Sequence, residues 1–167
     1  LAEGAVVRPA DAADLAAILA IVNDAILNTT AWYDYAPWDS AQLAQWFDGK
    51  RAAGWPVLVA IARDGTLAGF GSIGSFRGRA AYHKTGEHSV YVEKEHRGQG
   101  YGRLLLAAII DAARGLGLHT LIGGVDSGND ASLAFHRALG FVEAGRMREV
   151  GWKFDRWLTL VFMQKML

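Results

Sequence analysis

A chain of 167 residues is long enough to bury one good hydrophobic core and short for two. Its 17 basic and 17 acidic residues leave no net charge, which removes any general pull toward nucleic acid or an anionic membrane surface. With no cysteine in the chain, disulfides, thiolate metal sites and a cysteine nucleophile are excluded. Residues 6–8 read as a first strand, broken at Pro9. Asp11 is a good N-cap, and Leu15, Ile18, Leu19, Val22 and Ile26 then recur on one helical face. Asn28-Thr29-Thr30 ends that helix, and residues 31–38 are aromatic and irregular. Asp39-Ser40-Ala41-Gln42 has the form of a capping box for a second helix, whose apolar face is Leu43, Trp46 and Phe47 and which stops at Gly54. Two strands, 56–62 and 67–73, are joined by a hairpin turn at Asp64-Gly65. A polar loop, 74–86, leads to a strand at 87–92 and a glycine-rich charged turn at 93–102. An amphipathic helix follows over 102–116, then a buried strand at 119–125 and a short helix at 131–139. Residues 141–150 and 157–166 form a closing pair of strands.

The order β-α-α-β-β-β-α-β-α-β-β, without repeat or linker, describes one mixed α/β domain over residues 1–167. No apolar run has the length of a membrane span and no signal-peptide pattern opens the chain, so a cytoplasmic protein with no membrane partner is expected.

The sharpest local feature is Arg97-Gly98-Gln99-Gly100-Tyr101-Gly102, between a strand and a helix. Glycines let successive backbone N–H groups turn toward one point, and a helix N-terminus adds partial positive charge there; a pyrophosphate suits such a nest. The turn is not a nucleotide P-loop, because it ends Gly102-Arg103-Leu104 and not Gly-Lys-Ser/Thr. Nor is it a dinucleotide fingerprint, because its glycines follow G-x-G-x-G. Taken alone, it is equally a glycine-rich turn with no ligand.

Its surroundings decide. Arg-x-x-Gly-x-Gly after an apolar strand resembles the acetyl-CoA loop of the GNAT acetyltransferases, and Asn129, Ser132, His136 and Leu139-Gly140-Phe141 resemble the later GNAT segment in which an Asn opens a helix ending in Gly-Phe. The stretches Glu87-His88-Ser89-Val90-Tyr91-Val92, Phe135-His136-Arg137-Ala138, Gly151-Trp152-Lys153-Phe154 with Trp157, and Asn23-Asp24-Ala25 with Asn28-Thr29-Thr30 are similar to the phosphinothricin and methionine sulfoximine acetyltransferase branch. The likeness spans nearly the whole chain. Thr159 departs from it, standing where an Asp is expected.

The resemblance implies a GNAT-like twisted mixed sheet flanked by helices on both faces, with strands 87–92 and 119–125 splaying apart to admit the cofactor. It also implies a homodimer, with the aromatic C-terminal segment as interface. The reaction implied is direct N-acetylation of a small amino-acid-like substrate by acetyl-CoA, without a covalent enzyme intermediate. The backbone of Gly98, Gln99, Gly100, Tyr101, Gly102 and Arg103 would anchor the cofactor, with charge added by the Arg97 and Arg103 side chains. Val90, Tyr91 and Val92 would hold the pantetheine arm as a neighbouring strand would, and Asn129 and Ser132 would border it. Glu87 is the candidate base, working through a water; a surface role is the commoner fate of a Glu. His136 stands where relatives carry a Tyr taken as general acid, and a half-buried helix histidine is the equal alternative. Arg77 and Arg79, either side of Gly78, would point the same way on an extended segment and fork the substrate's acidic groups, where solvated loop charge is the plain alternative. His88 and Ser89 would border the same pocket, with Trp32, Tyr33 and Tyr82 as walls. His83 and His88 match no tight metal-ligand spacing, so no metal is expected. The basic residues at 146–156 are offset by Glu149 and Asp155, so neither is nucleic acid. A peptide N-acetyltransferase and a non-catalytic CoA-binding module are the rival readings.

Overall fold

The structure is a computed structural model and describes residues 2–167. Seven strands form one sheet: β1 (Val6–Pro9), β2 (Val57–Ile61), β3 (Leu67–Ser75), β4 (Thr85–Val92), β5 (Thr120–Asp126), β6 (Val142–Lys153) and β7 (Arg156–Met166). Their order across the sheet is β1-β2-β3-β4-β5-β7-β6. Four helices complete the fold: α1 (Leu15–Asn28), α2 (Ser40–Ala52), α3 (Tyr101–Gly115) and α4 (Asp130–Ala138). The expected element order and mixed α/β architecture are therefore observed.

Local chemistry sets the element ends. Asp39 accepts from Gln42 N at 2.8 Å while the Gln42 side chain accepts from Asp39 N at 2.9 Å, the reciprocal box the sequence predicts for α2. Asp11 also forms a capping box, with Asp14, but it opens a 3-10 turn, Ala12–Asp14, that leads into α1. Asp14 is buried and takes a two-pronged bond from Arg8 at 2.7 and 2.9 Å, which ties β1 to that turn. β6 runs three residues past its expected end, because a bulge with Glu149 at φ 55° realigns it to β7 before the hairpin turns. The turn itself is Phe154-Asp155, both at positive φ (53° and 54°).

Strand alternation assigns the two faces. Val57, Val59 and Phe70 pack with α1 and α2. Ile73, Leu121 and Val125 pack with Leu106, Ile109 and Ile110 of α3 and Leu133 of α4. Each large apolar side chain buried this way contributes roughly 1.5–3 kcal/mol. Helices thus cover both faces, and among the described residues no helix is long and apolar enough to cross a membrane.

One join in the sheet is incomplete. β4 and β5 are the parallel pair, registered only from Thr85 opposite Thr120 to His88 opposite Gly123. Beyond that point β4 stays with β3 as far as Val92, and β5 stays with β7 as far as Asp126. The two strands separate, and the peptide groups of Ser89–Val92 that would face β5 have no ladder partner.

Candidate active site

A cleft of about 400 Å³ opens where β4 and β5 part. Its lining includes Glu87, Ser89, Tyr91, Asp126, Asp34 and His136, and among the described residues it contains three carboxylates and no Lys or Arg. Glu87 sits on the α1/α2 face of β4. Burial pushes its carboxyl above the ordinary carboxylate range, and the nearby charges of Lys50 and Arg77 pull partly the other way. Lys50 reaches in from α2 and donates to the Ile73 carbonyl at 2.7 Å; its own ammonium is held down by burial, with Glu87 opposing. The Tyr91 phenol, buried and close to Glu87 and Asp34, is pushed up to about 12.

One wall of the cleft is the irregular segment 29–38, and long-range bonds fix it. Lys153, only 4% exposed, donates its ammonium to the carbonyls of Thr29, at 2.8 Å, and Trp32. Asn23 clamps Trp38 from both sides, Nδ2 donating to its carbonyl at 3.0 Å and Oδ1 accepting from its N–H at 2.8 Å. Asp34 accepts both indole N–H groups of Trp32 and Trp38, at 2.8 and 3.0 Å. Thr30 donates to Asp126 at 2.7 Å, joining this wall to the end of β5.

A second cavity, of about 500 Å³, adjoins the first and shares Ala31, Val90, Tyr91, Asn129, Ser132 and Phe135 with it. It continues past Val92, Arg97, Gly98, Gly100, Gly102 and Arg103. Gly98 (φ 75°) and Gly100 (φ 95°) occupy the left-handed region, which turns the loop sharply into α3. Gly100 is the N-cap and brings no side chain, so the first-turn N–H groups of α3 have no side-chain cap. Unpaired strand amides followed by an uncapped helix N-terminus are the donor set that a pantetheine arm and its pyrophosphate require. At α4, Asn129 Oδ1 accepts from Ser132 N at 3.1 Å.

The structure brings together Glu87, Ser89, Val90, Tyr91, Val92, Gly98, Gly100, Gly102, Arg103, Asn129, Ser132 and His136 along the two cavities. Other expected contacts differ. Arg97 lines the cavity, but its guanidinium donates to Asp24 at 2.5 Å and to the Val92 carbonyl at 3.1 Å, so that charge is already partnered. Gln99 bonds the Glu95 carbonyl at 2.7 Å and Tyr101 packs edge-on against His96; neither lines a cavity. Residues 77–79 do not continue β3: they form bends before a 3-10 turn, Ala80–Tyr82, and Arg77, Gly78 and Arg79 are exposed outside the cleft lining. Arg77 lies over the Phe76 ring, 5.4 Å from its centroid, and reaches the site only through its field on Glu87. His88 lines the cleft, as expected, but its ring lies on the α3/α4 side of β4, opposite the Glu87 side chain, because neighbouring strand residues alternate. Its ring meets His136, Nε2 to Nε2 at 3.3 Å. Thr159 turns to the β6 bulge, where its hydroxyl accepts from Glu149 N at 3.3 Å, and Leu160 is the β7 residue that lines the cleft.

Sequence reasoning missed Asp126, Asp34, Lys50 and Lys153. Asp126 carried a usable signal, since it ends a buried strand and ligands collect beyond the carboxyl ends of parallel strands.

A sheet that opens between two parallel strands, with an uncapped glycine-turned helix beside the gap, defines an acyl-CoA-dependent acetyltransferase. The chain matches the Acetyltransferase (GNAT) family over residues 20–141 and belongs to it. It is 48% identical over 158 residues to an L-methionine sulfoximine/L-methionine sulfone acetyltransferase of Pseudomonas paraeruginosa, covering 95% of this chain and 92% of that protein. It is 43% identical to a phosphinothricin N-acetyltransferase of Alcaligenes faecalis, covering 92% of this chain and 78% of that one. A GNAT superfamily phosphinothricin acetyltransferase from Sinorhizobium meliloti, solved in complex with acetyl-CoA, superposes with a TM-score of 0.94 at 37% identity, covering 98% of this chain and 88% of that one.

Proposed function

We propose that the chain acts as one catalytic unit that acetylates the α-amino group of a small amino acid of the methionine sulfoximine or phosphinothricin type, with acetyl-CoA as donor. The observation that carries this reading is the junction of the two cavities: three carboxylates on one side, and open strand amides with a free helix N-terminus on the other. Acetyl-CoA supplies an activated acetyl group: a C–N bond forms, the C–S bond breaks, the amine loses a proton and the thiolate gains one.

The protein's own residues do the rest. Glu87, Asp126 and Asp34 make the cleft attractive to an ammonium group. Glu87 accepts the amine proton, directly or through a water; its raised affinity for a proton suits a base working near neutral pH. The N–H groups of Val90 and Val92, which face the gap while that of Tyr91 faces β3, and the loop from Gly98 to Arg103 hold the donor in place, and one of these β4 amides polarises the thioester carbonyl. Arg77 is assigned the substrate's acidic end, which requires it to swing from Phe76 toward the field it already shares with Glu87. The absence of cysteine supports a reducing, cytoplasmic setting. Exposed Val150, Trp152, Phe154 and Trp157, at the end of the edge hairpin, support a homodimer through that end.

A thiol-release assay with acetyl-CoA tests the substrate class, comparing L-methionine sulfoximine, phosphinothricin, the common amino acids and a peptide panel. Rapid release with the first two is expected. Release with peptides alone would overturn the small-amino-acid reading and leave the cofactor site standing.

A further inference from the structure

His88 and His136 form a pair that acetyl transfer, as derived above, leaves without a role. His88 projects from β4 and His136 from α4, and each is 5% exposed. The rings stack with centroids 5.1 Å apart and planes at 30°. They meet where the parallel ladder ends, since His88 opposite Gly123 is its last pair. A Cβ on Gly123 would lie 2.5 Å from His88 Nε2 and 3.0 Å from His136 Nε2. The glycine there makes room for two imidazole nitrogens.

The proton positions follow by elimination. The Ser132 carbonyl lies 2.7 Å from His136 Nδ1; a carbonyl only accepts, so Nδ1 carries a proton. The contact between the two Nε2 atoms needs one hydrogen. Were it on His136, that ring would be a buried imidazolium, and His88 would keep its own proton on Nδ1, a buried atom with no partner. Placed on His88, it leaves both rings neutral, and the orphaned Nδ1 is a bare lone pair, which is cheaper to bury than an unbonded donor. Burial pushes His88 down to about 3 and lowers His136 as well, in agreement with two neutral rings.

We propose that His88 is a positioning residue: it donates its Nε2 proton to His136, fixes His136 as the neutral Nδ1–H tautomer with both nitrogens engaged, and so makes His136 a wall of the cleft and not its proton donor. The last clause rests on the acetyl-transfer reading; the pairing does not. The groups packed on the rings are apolar or uncharged: Phe135 from α4, Phe141 before β6, and Gly123 from β5. The charged groups lining the same cleft are Glu87 from β4, Asp126 from β5 and Asp34 from the 29–38 wall; β7 adds Leu160.

Nitrogen-15 NMR of the labelled full chain, from about pH 8 to pH 5.5, reads the tautomers directly. The expected spectrum has His136 protonated at Nδ1, His88 protonated at Nε2, and no imidazolium at either. A proton on His136 Nε2 at pH 7, or a titration of either ring within that range, would overturn the pairing. Kinetics supply the second readout. His88→Phe keeps a ring and removes the donor, so the freed His136 Nε2 takes up a proton as pH falls. An imidazolium in the cleft wall opposes an incoming ammonium group, so kcat/KM should fall more steeply toward acid pH than in the unmodified protein, with the added loss on the acid side of the ordinary histidine range because burial still holds His136 down. His88→Gln restores an N–H at that position and should restore the profile. A folded, CoA-binding His88→Phe protein with the unmodified pH profile would overturn the positioning role. If His88→Phe does not fold, the NMR of the unmodified chain decides. The expected tautomers without acetylation of any amino acid would support the pairing while removing the acetyl-transfer reading.

Discussion

The two halves of β4 share one strand and one partner on their left, β3, yet differ in everything to their right. From Thr85 to His88 the strand is closed against β5, and its side chains are fixed by the core and the histidine pair. From Ser89 to Val92 the same backbone faces an open gap and lines both cavities. A strand that loses its neighbour part-way keeps the straightness imposed by the other neighbour while its amides become available to a ligand. Glu87, the proposed base, sits just inside the closed half, where burial raises its proton affinity. The stretch proposed to hold the acyl donor lies in the open half.

The most severe way to break this division is at the proposed base. Glu87→Gln should lower kcat about 10²- to 10⁴-fold, the usual weight of general base catalysis, with acetyl-CoA affinity unchanged by calorimetry. Undiminished turnover would remove Glu87 from the chemistry. Filling the vertex comes next. Gly123→Ala places a Cβ against both Nε2 atoms and should destabilise the fold by roughly 1–3 kcal/mol in urea titration, because the rings have packed neighbours and cannot retreat freely. Lys153→Met leaves the Thr29 and Trp32 carbonyls without their buried donor. A loss of about 1–3 kcal/mol is expected, together with a higher KM for the amine and an unaltered KM for acetyl-CoA. An equal rise in both constants would mean that the wall serves the whole groove.

The mildest change sharpens the comparison. Lys50→Met removes a cation whose field favours ionised Glu87, so the carboxyl pKa moves further up. Because the base works deprotonated, activity is lost as pH falls through that pKa, and the acid limb of kcat/KM should shift to higher pH. A shift to lower pH, or none, would show that the Lys50 field does not reach the base.

What the sequence disclosed follows the range of the interactions involved. The Asp39–Gln42 box, the Asp64-Gly65 turn and the glycine turn into α3 are settled within a few residues, and the structure contains all three. The orientation of His88 was also within reach: on a strand, a Glu87 facing the cleft sends its neighbour to the other side. The bends at 77–79 depend on where β3 stops and were not visible in the local pattern. Lys153 lay furthest from view, as its acceptors are 124 and 121 positions away along the chain.

That separation bears on how the molecule is made. Contacts between distant positions form late, because the intervening chain must first be ordered. A polypeptide emerging from the ribosome exposes β4 and α3 well before residue 153 appears, and a domain folds as a unit once its chain is out. The strand and helix proposed to hold the acyl donor are thus in the chain before the lysine that pins the 29–38 wall has been made.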